Sequence, residues 1–258
     1  MVCERPRVSL SPDELQRYAR HIVLREVGGT GQMRLKGARI AVVGAGGLGS
    51  PALLYLAAAG VGRLIVIDDD AVDLSNLQRQ ILHGSGDIGR PKTESAAARL
   101  ADINPHVVVE GRAARLTAES AGALLEGADL VLDGSDSFET RDAVNRAAVA
   151  AGIPLISGAI AQWEGQVTVL HPAGGAPCYA CLFPHAPAPG QAPSCAEAGV
   201  MGALAGVVGG MMAGEALKVI TGAGQTLSGE LLIYDALWGE TRKIRVVRRA
   251  DCAVCAQV

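Results

Sequence analysis

The run Val42-Val43-Gly44-Ala45-Gly46-Gly47-Leu48-Gly49-Ser50 leaves few folds open to this chain. It follows the apolar stretch Arg39 to Val43, which predicts a buried strand, and it opens a helix that the apolar spacing carries through Ala59. A second apolar stretch, Arg63 to Asp68, predicts the next strand. Strand, glycine turn, helix and strand in about 30 residues form a βαβ unit. Gly44, Gly46, Gly47 and Gly49 permit the tight turn and bring backbone N–H groups and a helix N-terminus close to a phosphate. Asp68, at the end of the second strand, is placed to accept hydrogen bonds from ribose hydroxyls. The turn and Asp68 alone indicate an adenosine nucleotide, with NAD the first reading and packing without a ligand the alternative.

The alternation continues. Helices are predicted near Thr93–Ile103, after Thr117 and over Phe138–Ala151, and strands near Val107–Glu110, over Asp129–Asp133 and over Pro154–Ser157. This predicts an α/β fold with a Rossmann-like, mostly parallel sheet and helices on both faces. After Gly165 the apolar residues alternate as in antiparallel strands, and the Pro- and Gly-rich segment 172–194 has the length of a functional loop. Before the sheet, Ser11-Pro12-Asp13-Glu14 predicts a capped helix running to about Arg25 and ended by Gly28, Gly29 and Gly31.

Composition bounds the partners. Over 258 residues, 49% are hydrophobic and 19% charged, which provides an ample core. With a net charge of -3 and no basic stripe, no nucleic-acid partner is expected. The N-terminus has no apolar signal segment, so a cytoplasmic location with reduced cysteines is expected. The apolar run Ala198 to Gly214 is shorter than the ~20 residues of a membrane span. It predicts a buried helix or a subunit interface, with Gly202, Gly206, Gly210 and Gly214 on one face where another backbone can approach. No membrane partner is expected.

The residues beyond Asp68 shift the balance away from NAD. Asn76 and Arg79 stand just past a strand end, Lys92 opens a predicted helix, and Asp136 comes after the strand at Asp133. Each alone is an ordinary surface residue. In open α/β sheets, however, ligands bind at the carboxyl ends of the strands, so Arg79 and Lys92 can converge on phosphates held by the glycine turn. Hydride transfer does not need two extra cations there. Displacement at phosphorus does, and Asp136 is suited to hold Mg²⁺ against the phosphate chain.

Cys178-Tyr-Ala-Cys181 and Cys252-Ala-Val-Cys255 have the spacing of two metal knuckles. Four thiolates form a closed tetrahedral Zn²⁺ site with a structural role, a redox dithiol being the alternative. Cys195, ahead of the glycine-spaced helix, is either a nucleophile or a buried small hydrophobe, and Cys3 has no assigned role.

The segments "RYARHIVL", "VVGAGGLGSPALLYLAAAGVGRLIVID", "LSNLQRQ", "GRPKTESAAARL", "EGQVTV", "CYAC", "CAEAGVMG" and "CAVC" together resemble the MoeB/ThiF/HesA family, relatives of the ubiquitin-activating enzymes, from about Asp13 to Cys255. The resemblance implies ATP-dependent adenylation of the C-terminal glycine of a small ubiquitin-like sulfur-carrier protein ending in Gly-Gly. Such carriers serve molybdopterin, thiamin, cysteine or thio-tRNA synthesis. Asp68 then resembles the ribose-binding acid, Asn76, Arg79 and Lys92 the phosphate and catalytic residues, and Asp136 the Mg²⁺ ligand. Arg20 resembles an arginine reaching the ATP of the partner subunit in a homodimer, the four paired cysteines the zinc ligands, and Cys195 a cysteine that some members link to the carrier. Where many members have Asp-Asn, this chain has Asp136-Ser137. With no sulfur-transferring domain in the sequence, a separate sulfur donor is expected. The whole chain is read as one adenylation domain: an N-terminal helical segment over 1–35, a nucleotide-binding half over 36–160 and a carrier-binding half over 161–258. The other readings are an NAD(P)-dependent oxidoreductase and a noncatalytic carrier-binding scaffold.

Overall fold

Three short helices lead into the sheet in the computed structural model, which describes residues 9–185 and 199–258. They are α1 (Pro12–Arg17), α2 (Ala19–Ile22) and α3 (Gly28–Gly37). Ser11 and Glu14 form the expected capping box, yet the single helix to Arg25 does not form. The break falls at Tyr18, whose ring is buried against Gly60 and whose hydroxyl accepts from Asn104 Nδ2 at 2.8 Å. The glycines also act differently from expectation. Gly28, at φ +59°, turns the chain into α3, and Gly29 and Gly31 lie within that helix.

The remaining elements are β1 (Arg39–Val43), α4 (Gly49–Ala58), β2 (Arg63–Ile67), α5 (Lys92–Ile103), β3 (Val108–Arg112), α6 (Ala121–Leu124), β4 (Leu130–Asp133) and α7 (Phe138–Ala151). They continue with β5 (Leu155–Ala161), β6 (Glu164–Leu170), α8 (Tyr179–Leu182), α9 (Gly202–Thr221), β7 (Glu230–Asp235) and β8 (Glu240–Arg245). Side chains alternate across each central strand. Ile40, Val42, Leu64, Val66, Leu130 and Leu132 enter the core beneath α4, α5 and α9. Ala41, Val43, Ile65, Ile67 and Val131 enter the opposite core with α6 and α7. Strands buried on both faces require this three-layer arrangement.

All eight strands form one sheet in the order β3-β2-β1-β4-β5-β6-β7-β8. The pairings from β3 through β5 are parallel and those from β5 through β8 antiparallel, as the change of sequence texture indicates. The chain leaves β1 toward β2 on one side and later returns to β4 on the other. A crevice therefore opens between the carboxyl ends of β1 and β4.

Helix α9 runs 20 residues, longer than the charge-free stretch suggests, and has the length and apolarity of a membrane span. It packs instead on α4, β5 and β6, and carries buried Glu215, which accepts the Leu227 amide at 2.8 Å. Its close approach to α4 is made by Gly209, outside the four-residue repeat: a Cβ there would lie 2.4 Å from Pro51 Cγ and 2.5 Å from the Leu48 carbonyl. Of the repeat, only Gly202 meets backbone, at the Gln78 carbonyl; Gly206 and Gly214 have open space before them. The stripe correctly marks a helix, but its face is not the one against the sheet.

Candidate active site and metal centre

The glycine turn fills the crevice. Gly44 takes φ +88°, and its N–H donates to the Ile67 carbonyl at 2.8 Å. A Cβ on Gly49 would sit 1.8 Å from the Gly44 carbonyl oxygen, so the helix can start there only without a side chain. Gly49→Ala is expected to cost about 3 kcal/mol or more by overpacking and to abolish nucleotide binding, checked by thermal melting and ATP titration. Added Cβ atoms on Gly46 and Gly47 would meet only Gln80, Arg79 and Ala205 at 3.6–3.7 Å, so the face of the turn is a cradle with room above it.

Asp68 and His83 hold this turn at one peptide. The Ala45 N–H donates to Asp68 Oδ2 at 2.7 Å, while the Ala45 carbonyl faces His83 Nε2 at 2.9 Å. His83 Nδ1 lies 2.8 Å from Ser95 Oγ, so the neutral ring donates from Nε2 and accepts from the serine hydroxyl. Burial outweighs the Ala45 hydrogen bond and, aided by Lys92, holds the imidazole below its ordinary range. The unfolded chain therefore takes up a proton first as pH falls. Stability is expected to decline below about pH 6.5, and His83→Gln to flatten that part of a melting-temperature profile.

Lys92 begins α5. Its Nζ pairs with Asp70 Oδ2 at 2.6 Å and lies 3.9 Å from Asp68 Oδ1, with only 6% of its side chain exposed. Burial pushes the Asp68 carboxyl up, opposed chiefly by Lys92. Arg79 is half-buried, its stem lies over Gly47, and its guanidinium donates to the Ser75 carbonyl at 3.1 Å. Asn76 belongs to a local capping box in which its Oδ1 accepts the Asp73 amide at 3.3 Å. Asp136 is exposed on the turn after β4, where Gly134 lies against Leu48 and Gly49. Ser137 caps α7 by accepting the Thr140 amide at 3.1 Å, the role an asparagine would also fill.

The glycine turn, Asp68, Lys92 and Arg79 thus meet at one end of the sheet, with the Asp136 turn beside them. Arg20 is exposed on α2, which packs on α1 and α3. Cys195 lies outside the described residues. His83, Ser95 and Gln80 escape the sequence reading, although Gln80 and His83 come soon after Arg79 and their three-residue spacing puts them on one face of a turn. Gln80 is buried with an unpartnered Oε1. The open cradle, the buried acid and the two cations fit a nucleoside phosphate. A single exposed carboxylate is also compatible with Mg²⁺, which commonly takes one or two carboxylates together with substrate phosphates.

The second centre forms where α8 meets the C-terminal segment. Cys178, Cys181, Cys252 and Cys255 are all buried, with sulfur atoms within 4.8 Å of one another. The separations of 3.9, 3.6 and 3.5 Å match the edge of about 3.8 Å that a tetrahedron with Zn–S bonds of about 2.3 Å requires. Burial pushes the Cys178 thiol up. At Cys252 burial acts the same way, but the amides of Val254 and Cys255 outweigh it and bring the thiol down to about 7. The Arg249 amide also reaches Cys181 Sγ at 3.4 Å. The donor set fits a structural zinc ion.

Fold and site define a nucleotide-binding α/β protein with an added four-cysteine centre. The ThiF family model matches residues 18–254, and the chain belongs to that family. It is 53% identical to the sulfur carrier protein adenylyltransferase of Thermus thermophilus, over 94% of this chain and 91% of that protein. It is 49% identical to the SAMP-activating enzyme E1 of Haloferax volcanii, over 97% of this chain and 92% of that protein. Among solved structures, E. coli MccB with MccA-N7isoASN shares the fold at TM-score 0.84 and 22% identity, over 93% of this chain and 74% of that one.

Proposed function

We propose that the protein adenylates the C-terminal glycine of a small ubiquitin-like sulfur-carrier protein, consuming ATP and releasing pyrophosphate. The observation that carries this reading is the pair of cations, Lys92 and Arg79, beside a phosphate-binding glycine turn in a ThiF-family chain. An NAD(P)-dependent oxidoreductase or a noncatalytic scaffold would leave that pair without a task.

In this reading Gly44, Gly46, Gly47 and Gly49 cradle the phosphates, Asp68 holds the ribose and Asn76 joins the phosphate contacts. The carrier's terminal carboxylate, already ionised at pH 7, attacks the α-phosphate in line, so no general base is needed. Lys92, Arg79 and Arg20 from a second subunit stabilise the departing pyrophosphate. Asp136 would hold Mg²⁺, which when bound would supply further charge neutralisation. Lys92 can turn to phosphate readily because its partner Asp70 is two-thirds exposed.

We assign the whole chain to one adenylation domain, with residues 161–258 as the carrier-binding half. In support, β8 is exposed along its length, and Leu237 and Trp238 stand out from the β7–β8 hairpin. The open Gly206, Gly210 and Gly214 face of α9, beside exposed Tyr55, supports a homodimer. A separate sulfur donor completes thiocarboxylate formation, and a cytoplasmic setting keeps the zinc thiols reduced.

The test is to incubate the protein with ATP, Mg²⁺ and a Gly-Gly-ending carrier and to weigh the carrier by mass spectrometry. An added AMP on the carrier terminus is expected; an unmodified carrier with ATP intact, across carriers of the four pathways, would refute the proposal.

A further inference from the structure

Helix α7 joins the two centres. Near its start, Arg141 donates from Nε at 3.1 Å and Nη2 at 2.7 Å to the Ser135 carbonyl. The Ser135 amide donates to Asp133 Oδ1 at 2.9 Å, and Asp133 is buried at the end of β4. The turn that carries Asp136 is therefore held by its carbonyl from α7 and by its amide from β4. One helical turn further on, Asn145 Oδ1 accepts the backbone N–H of Tyr179 at 2.8 Å in a fully buried contact. Tyr179 opens α8 and lies between Cys178 and Cys181. A turn beyond that, Val149 packs against the four cysteines. Residues 141, 145 and 149 are spaced by four and share one face of the helix.

We infer that α7 is a strut between the metal centre and the nucleotide site, and that Arg141 and Asn145 are the positioning residues at its two grips. Neither touches the reacting atoms. Arg141 fixes the direction of the Asp136 turn, and Asn145 fixes α8, so order at the cysteine cluster supports order at the turn and the reverse. Such coupling is reciprocal: if the metal centre favours nucleotide binding, bound nucleotide must favour the metal centre. The inference rests on the proposed nucleotide site, not on the identity of the carrier.

The experiment measures the equilibrium partition of Zn²⁺ between the zinc-loaded full chain and a competing chromogenic chelator, with and without Mg·ATP, after ATP binding has been verified by direct titration. In the wild-type protein Mg·ATP is expected to raise zinc affinity about fivefold or more. Asn145→Ala, which leaves the Ser135 contact intact, is expected to remove that gain, and so is Arg141→Gln. Arg141→Lys, which retains one donor, is expected to restore part of it. A measurement on the unaltered protein guards against variants that fold poorly: amide exchange at Tyr179 is expected to slow when Mg·ATP binds. Zinc affinity indifferent to bound ATP, or the full gain retained in Asn145→Ala, would overturn the strut. If ATP strengthens zinc binding through Arg141 and Asn145 but no carrier is ever adenylated, the proposed reaction fails and the strut stands.

Discussion

Lys92→Ala is expected to lower carrier-dependent exchange of labelled pyrophosphate into ATP by two to three decades, about 3–4 kcal/mol of transition-state stabilisation. Two effects act together. In the proposed reaction the variant removes a cation from the place where charge would accumulate on the leaving pyrophosphate. It also removes the chief opposition to the burial that raises the Asp68 carboxyl, so the acid proposed to hold the ribose is less readily ionised. Asp136→Ala separates the two, because it leaves Asp68 and Lys92 in place. Asp136 is exposed, so its loss should change stability by less than about 0.5 kcal/mol while exchange still collapses. Near-normal exchange in either variant contradicts the site assignment.

Stripping the metal is expected to have the largest effect on stability. Structural zinc binding contributes directly to folding, and the cysteine cluster has only Val149, Ala180 and Val254 as apolar neighbours among the described residues. Chelation, or Cys255→Ser, is expected to lower the melting temperature by of order 10 °C, as a loss of about 3–5 kcal/mol does in a chain of this size. Cys255→Ser leaves the glycine turn untouched, and the strut predicts an accompanying loss of ATP affinity, measured below the melting transition. A zinc-free protein that melts at the same temperature as the loaded one would show that the cluster carries no structural metal.

The parts of this molecule that can be read from the sequence are those written within a few residues. Strand β1, the glycine turn, α4 and β2 arise from apolar runs and glycines that are contiguous in the chain. Helix α7 falls on its predicted bounds because both of its signals are local: Ser137 caps its start, and Gly152, at φ +66°, ends it. The four cysteines are likewise legible because each pair has knuckle spacing. The features that escape the sequence depend on distant partners. Helix α1 ends at Tyr18 because the tyrosine hydroxyl meets Asn104, 86 residues on. His83 supports the nucleotide turn because its ring reaches the Ala45 carbonyl, 38 residues back. The glycine repeat of α9 identifies a helix, but only packing against the start of α4 selects Gly209, outside the repeat, as a point of close contact. Arg141 and Asn145 look like ordinary helix positions until β4 and α8 close on them.

Adenylation itself is tested most directly by wild-type pyrophosphate exchange with two forms of one carrier, intact and lacking its terminal glycine. Exchange that requires the protein, Mg²⁺ and the intact carrier, and that vanishes with the truncated form, is the predicted result. No exchange with intact carriers of any of the four pathways, together with tight NADH binding at the glycine turn, would contradict it and return the site to hydride-transfer chemistry.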